Sequence, residues 1–386
     1  MLAWLIVITM AMRLAAASGK GVVVGGGYGG LAAAHHLLQT SGCAGVTLYD
    51  DYAVTGSKAS LVSAGLLHPL TPSGKLMWMG AEALSESLSL LEHAQHSSSR
   101  DVRNKGVKIV RPFYSQKELD AWTASSHTPA VAPYLQMRSP EHFLREQYGD
   151  EVRGELFADI KGAAELTGSV CVNSGDYLAG LLSSLSKRSN FEIVNRKIDI
   201  NDLADVAASA PFVILAAGPG IMHLWEGEPA LPVKCARGQN LLIRSGVDAL
   251  RRNALLSGEY LIPSGADAHI FGATYEYGDE QQLHRGPDAQ EALSLLSGKF
   301  SELLGCADTA LLGKAEVVGC LAGVRVVARR TNVGKLPIVR RHSRLRNVWL
   351  LSGLGSRGLL YHALVAKWLA AAAVAGDEAL IPKELL

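Results

Sequence analysis

The stretch from Lys20 to Gly42, KGVVVGGGYGGLAAAHHLLQTSG, constrains the fold more than any other part of the chain. Val22 to Val24 form a continuous apolar run, the pattern of a parallel strand buried on both faces. Gly25, Gly27 and Gly30 follow at G-x-G-x-x-G spacing and lead into an Ala- and Leu-rich helix. Each glycine has its own reason. The first permits a tight turn, the second lets phosphates approach the backbone, and the third lets the helix lie close to the sheet. The helix then opens with unpaired N–H groups, which favour an anion. A strand before the triplet and a helix after it supply the context that a nucleotide-binding turn needs. The next strand, VTLYD, ends at Asp50, about 20 residues past the last glycine, where a carboxylate meets a ribose hydroxyl. Asp51 is the alternative for that role. His35 and His36 on the helix are expected to serve its surface or its packing.

At 386 residues the chain is long enough for two domains. Its net charge of +1 gives no global attraction to DNA, RNA or a membrane surface. The charge is uneven: from Val317 through Gly376 there is no Asp or Glu, while ten Arg and Lys residues occur there. Such a stretch suits an anionic ligand or a solvated basic face. Cys43, Cys171, Cys235, Cys306 and Cys320 are scattered, odd in number and without a CxxC pair. This excludes a disulfide framework or zinc knuckle from the expected designs and favours a reducing compartment. Residues 1–18 contain an apolar run of about a dozen residues, too short to span a bilayer. They are expected to be a targeting segment, plastid, mitochondrial or secretory, or an upstream start; without one the chain would be cytoplasmic. No stable membrane span is expected, because Lys367 interrupts the apolar C-terminal helix.

Two later segments discriminate between nicotinamide and flavin nucleotides. PFVILAAGPG is an apolar strand ending in Ala216, Ala217 and Gly218, small residues that permit close backbone approach. SGLGSRGLLYH is a second glycine-rich strand-to-helix turn, containing Gly353, Gly355, Ser356, Arg357 and Gly358. A nicotinamide site does not need these elements. FAD, a longer molecule lying along the sheet edge, does.

In these segments the sequence resembles the D-amino-acid-oxidase-like FAD-dependent oxidoreductases, the group containing glycine and sarcosine oxidases. Within it, the chain is most similar to the oxidase domain of the bifunctional enzymes of tRNA 5-methylaminomethyl-2-thiouridine biosynthesis. The resemblance covers nearly all of residues 19–375. It rests also on ASLVSAGLLHPL, GVKIVRP, GSVCVNSGDYLAGLL, CARGQ, EYLIPS, FGATYE and AGVRVVARRTNVGKLPIV. It implies an α/β fold: a Rossmann-like FAD domain of the glutathione-reductase type, with an interleaved α+β substrate domain built on an antiparallel sheet. The FAD domain is expected over 19–84, 160–235 and 325–376, the substrate domain over 85–159 and 236–324, and a tail over 377–386.

The same resemblance implies roles for residues. Ser60, Ser63, Ala64, Gly65 and Val172 would line the cofactor site. Arg325 would bind a substrate carboxylate, with Arg329 and Arg330 as neighbouring competitors, and Tyr260 would stand on the substrate side of the flavin. A guanidinium suits the first role because two parallel N–H groups match a carboxylate. His68 either faces the flavin or, as expected of a histidine before a proline, is structural. Relatives that tether flavin use a cysteine two residues before the arginine; here that position is Gly323, so FAD is expected to be noncovalent. RRTNVGKLPIVRR is more basic than the family pattern, which suggests a more anionic substrate or a different placement. Apart from the resemblance, the helix that opens after Arg357 points its positive end at the cofactor, so the Arg357 charge is expected to meet either the flavin N1–C2=O2 edge or the pyrophosphate.

The implied activity is oxidation of the C–N bond of an amino acid or N-substituted glycine to an imine, which water hydrolyses, with oxygen as acceptor. Two alternatives stand beside it. One is the same chemistry on a carboxymethylaminomethyl wobble uridine of tRNA, although the near-neutral charge counts modestly against strong RNA binding. The other is a flavin-bound assembly factor without turnover.

Overall fold

A computed structural model describes residues 19–51, 58–149, 159–245, 252–265, 268–304 and 315–386. The expected targeting segment at 1–18 and Cys306 lie outside them. The chain begins with β1 (Gly19–Val24), α1 (Tyr28–Leu37) and β2 (Cys43–Asp50). Then come β3 (Leu66–Leu67), α2 (Gly80–Ser97), β4 (Ile109–Phe113), β5 (Gln136–Arg138), β6 (Gly162–Glu165) and β7 (Val170–Cys171). The middle contains α3 (Ser174–Ser186), β8 (Phe191–Asn195), β9 (Val213–Leu215) and β10 (Val233–Ser245). β11 (Ala254–Ser257), β12 (Glu259–Ser264), β13 (Ala268–Gly272), α4 (Ala289–Leu304) and β14 (Ala315–Ala328) follow. β15 (Ile338–Arg341), β16 (Val348–Ser352) and α5 (Gly358–Ala375) close the fold.

Six strands form one sheet in the order β15-β16-β9-β1-β2-β8. All its pairings are parallel except that of the edge strand β15. The apolar run of β1 occupies the middle, where both faces are covered and Val23 is fully buried. Eight strands form a second sheet in the order β14-β10-β13-β12-β11-β4-β6-β5. It is antiparallel apart from the β11–β4 pair. The FAD-domain-plus-antiparallel-sheet class expected from sequence is therefore the observed one. β6 belongs to the second sheet, although 160–235 was expected to serve the cofactor domain.

The last helix shows why the first sheet is stable. α5 is apolar on almost every face, with Leu359, Leu360, Ala363, Leu364, Ala366, Leu369 and Ala370 buried. A helix of that composition must be enclosed, and it packs on α1 and α2. Its alanines let neighbouring helices approach closely. Residues Gly355–Ala375 are long and apolar enough to cross a membrane, yet two-thirds of that window is buried inside the protein. Lys367 reaches outward to Glu86 at 2.8 Å. Gly376, at φ 66°, ends the helix in the left-handed conformation usual for a C-terminal glycine.

Candidate active site

A cavity of about 1170 Å³ is lined by both sheets. The first sheet presents the C-terminal ends of β1, β2, β9 and β16, where open parallel sheets bind ligands. The second presents β10, β12 and β14.

The glycine turn after β1 has φ +106° at Gly25, and a Cβ there would stand 2.4 Å from the Ala216 carbonyl oxygen. The turn and the AAG segment after β9 therefore meet backbone to backbone. Gly30 does not line the cavity. A Cβ on it would fall 1.7 Å from the Gly25 carbonyl oxygen, so it is needed where the helix crosses its own turn, not against the sheet. Gly27 faces the Ser60 hydroxyl, which accepts from the Tyr28 N–H at 3.1 Å. α1 has neither a side-chain cap at Gly27 nor an acid in its first turn, so its N-terminal field faces the cavity uncancelled.

Asp50 ends β2 at the cavity wall, with one carboxylate oxygen ion-paired to Lys58. Asp51 lines the cavity beside it. Ser63 accepts or donates within a half-buried Tyr28–Ser63–Ser174 hydroxyl chain, with both links at 2.8 Å. Burial pushes the Tyr28 phenol up to about 12, and the hydroxyl contacts oppose the shift. Ala64 and Gly65 line the cavity. Gly65 has φ +72°, and its Cβ would strike the Val172 carbonyl oxygen at 1.9 Å. Val172 is buried in the core and donates its N–H to the Gly65 carbonyl at 2.7 Å. It braces the cavity loop from behind and does not line it.

Ala216, Ala217, Gly218, Gly353, Gly355, Ser356, Arg357 and Gly358 all line the cavity. Arg357 precedes the first turn of α5, and its guanidinium is 3.2 Å from His68 Nε2. His68 is 5 % exposed and lines the cavity. Burial, then the charges of Arg357 and Arg111, lower its pKa to about 3.

Arg325 and Tyr260 come from the other sheet. Gly238 lies beside the Arg325 guanidinium, and a Cβ on it would stand 2.9 Å from Nη2. Arg325 donates to the Thr274 carbonyl at 3.1 Å and lies over the Tyr275 ring at 4.5 Å. It has no carboxylate partner among the described residues, and its buried Nε makes no hydrogen bond. Tyr260 donates to Asn240 Oδ1 at 2.7 Å, and Asn240 donates to the Val62 carbonyl at 2.6 Å. Burial raises the Tyr260 pKa to about 12, while the nearby Arg325 charge acts against the shift. The phenol thus stays protonated at neutral pH. Gly323 packs on Val62 and Ala59. Cys320 is outside the cavity lining and Cys235 is part of it.

The residues fit FAD. Glycines let the turn close against Ala216 and Ser60, where a Cβ would clash, the N-terminal end of α1 borders the cavity, and a carboxylate stands at the end of β2. Lys58, Asn240 and Tyr275 were missed in the sequence. Only the alternation of Gln239 and Asn240 along a strand could have signalled one of them. Among the described residues no His, Cys, Asp and Glu cluster could hold a metal.

Residues 21–372 match the family described as FAD dependent oxidoreductase. The tRNA 5-methylaminomethyl-2-thiouridine biosynthesis bifunctional protein MnmC of Azoarcus sp. strain BH72 is 30% identical over 174 residues, covering 42% of this chain and 26% of that protein. Its counterpart in Burkholderia thailandensis is 26% identical over 398 residues, covering 94% of this chain and 58% of that protein. The chain thus spans at most about three-fifths of the length of these two relatives. Glycine oxidase from Geobacillus kaustophilus superposes with a TM-score of 0.72 at 19% identity, covering 94% of this chain and 95% of that one, a likeness of fold. With the family match spanning nearly the whole chain, this protein belongs to the DAO family of FAD-dependent oxidoreductases.

Proposed function

We propose that the protein oxidises the C–N bond of an amino acid or N-substituted glycine to an imine, with oxygen as final acceptor. The observation that carries this reading is Arg325: a guanidinium on the cavity wall with no carboxylate partner among the described residues and a buried, unpartnered Nε. The terminal nitrogens of a guanidinium match the two oxygens of a carboxylate. Tyr275 beneath the guanidinium and Thr274 behind it limit its rotamers, so an anchored carboxylate fixes the adjoining C–H. Tyr260, protonated and oriented by Asn240, presents a hydroxyl from the same sheet. FAD, held by the residues after β1, β2, β9 and β16, supplies the two-electron acceptor when bound. The substrate amine must arrive neutral, and water hydrolyses the imine product. Attachment of FAD is noncovalent in this reading: acid or heat denaturation should release all of it and leave a protein mass equal to that of the polypeptide.

Purified protein loaded with FAD should bleach anaerobically with at least one of glycine, sarcosine, iminodiacetate or D-amino acids, and should then produce peroxide on admitting air. Unchanged flavin absorbance across neutral amines and carboxylated amines alike would sink the reading and leave the non-catalytic assembly role.

A second reading, oxidation of a carboxymethylaminomethyl group on tRNA, is favoured by the relatives' names and by the β14–β15 turn. Arg329, Arg330 and Lys335 are exposed there without a carboxylate partner among the described residues. Mass analysis of tRNA nucleosides from a strain lacking the protein decides it: accumulation of the carboxymethylaminomethyl nucleoside supports tRNA, and an unaltered profile rejects it.

A further inference from the structure

The cationic end of the cavity contains an arrangement that amine binding does not use. Arg357 lines the cavity and has no carboxylate within ion-pair distance among the described residues. Its recorded side-chain hydrogen bond runs to His68 Nε2 at 3.2 Å, across 289 positions of sequence. A guanidinium has only donors, so Nε2 must be the acceptor and Nδ1 must bear the proton. His68 is almost wholly buried, with the Leu70 backbone beside its ring. Arg111 of β4 also acts on His68 through its charge, and is itself paired with Glu118 at 3.2 Å and lies over Trp122. Protonating His68 would gather three positive charges in a buried space, and burial with the two arginines opposes it.

An arginine confined without a carboxylate is costly unless a ligand supplies the negative charge. A carboxylate in place of His68 would neutralise Arg357 inside the protein. A neutral imidazole accepts one N–H and leaves the charge intact.

We propose that His68 is a positioning residue: its unprotonated Nε2 holds the Arg357 guanidinium so that its remaining N–H groups meet an anionic part of bound FAD. That part is either the pyrophosphate or the pyrimidine edge of the flavin, which gains negative charge on reduction. The proposal rests on membership of the FAD family and not on the amine-oxidation reading.

The test needs no substrate, so its failure leaves the amine reading standing. His68→Phe keeps a planar ring and removes the acceptor; His68→Gln places an amide oxygen near the position of Nε2. These two, Arg357→Gln and the double variant His68→Phe/Arg357→Gln are compared for FAD dissociation constant and for two-electron midpoint potential. Loss of one charge-assisted hydrogen bond predicts an effect of about tenfold or more. If the guanidinium meets the flavin edge, His68→Phe binds reduced FAD about tenfold less tightly relative to oxidised FAD, a potential about 30 mV lower. If it meets the pyrophosphate, both redox forms weaken equally and the potential holds. In either case His68→Gln restores the wild-type value, and the double variant is no worse than Arg357→Gln alone.

Three results overturn the proposal: affinity and potential both unchanged in His68→Phe, effects of the two sites that simply add, or a folded His68→Gln that fails to restore. Should His68→Phe not fold, His68→Leu serves the same comparison.

Discussion

Arg325 and Tyr260 bring the second sheet to the cavity wall, where the proposed substrate would bind. Arg325 has been given neutral company: a carbonyl, an aromatic face and a glycine that makes room for it. An acid among those neighbours would have satisfied the charge and removed the site. Replacing Arg325 with Ala should therefore act mainly on carboxylated substrates. Losing a charge-assisted pair costs about 1.5–3 kcal/mol, or about 10- to 100-fold in kcat/KM. Arg325→Lys should recover little of this, because an ammonium cannot form the paired contact. Steady-state kinetics on the best carboxylated amine checks both, and an unchanged kcat/KM in Arg325→Ala would remove the residue from the substrate site. FAD content should stay near wild type in these variants, since Arg325 comes from the sheet opposite the glycine turn.

At the scale of elements, the cavity depends on turns that tolerate no Cβ. Gly30→Ala would put a methyl 1.7 Å from the Gly25 carbonyl oxygen, so α1 would have to move off the turn it caps. The expected outcome is loss of bound FAD, read from the ratio of flavin to protein absorbance, while the second sheet persists by circular dichroism. Gly65→Ala combines a left-handed φ with a clash against Val172. Strain of this kind costs about 1–3 kcal/mol, and its measure is a lower melting temperature in the FAD-free protein. An unchanged melting temperature would show that the β3–β7 side can yield. Of these two turns, the first was legible in the sequence because its strand, glycines and helix are contiguous. The second was named only through the family resemblance, because what Gly65 must avoid is the carbonyl of a residue more than a hundred positions away.

The whole molecule should weaken in mild acid. His35, His36, His68 and His362 are buried, and burial is the largest cause holding them at about 3, 4, 3 and 4. Unfolded, each would titrate near 6.5. Between about pH 6.5 and 4 the unfolded chain binds more protons than the folded one, so stability falls as pH drops through that window and is level above it. Each histidine adds up to about 1.4 kcal/mol per pH unit. Urea midpoints at pH 7.5 and pH 5 check this, and equal midpoints would contradict it. Two of the four, His35 and His36, were expected on the helix surface or in its packing, and the structure places both in packing. His362 is held by the Tyr177 hydroxyl at 2.6 Å, a contact with no local trace.

The sequence by itself determined the cofactor cradle: strand, glycine turn, helix and terminal acid are neighbours in the chain, and their spacing follows from backbone geometry. It also carried the family's second glycine turn and Arg325, the arginine proposed to meet the substrate. The tertiary structure alone decided how those parts face one another. Whether Arg325 keeps its charge free, whether Arg357 leans on His68, and which side of Gly65 is closed depend on pairings between distant strands and helices. Such pairings are set by packing of the whole core, and no local pattern of residue types records them.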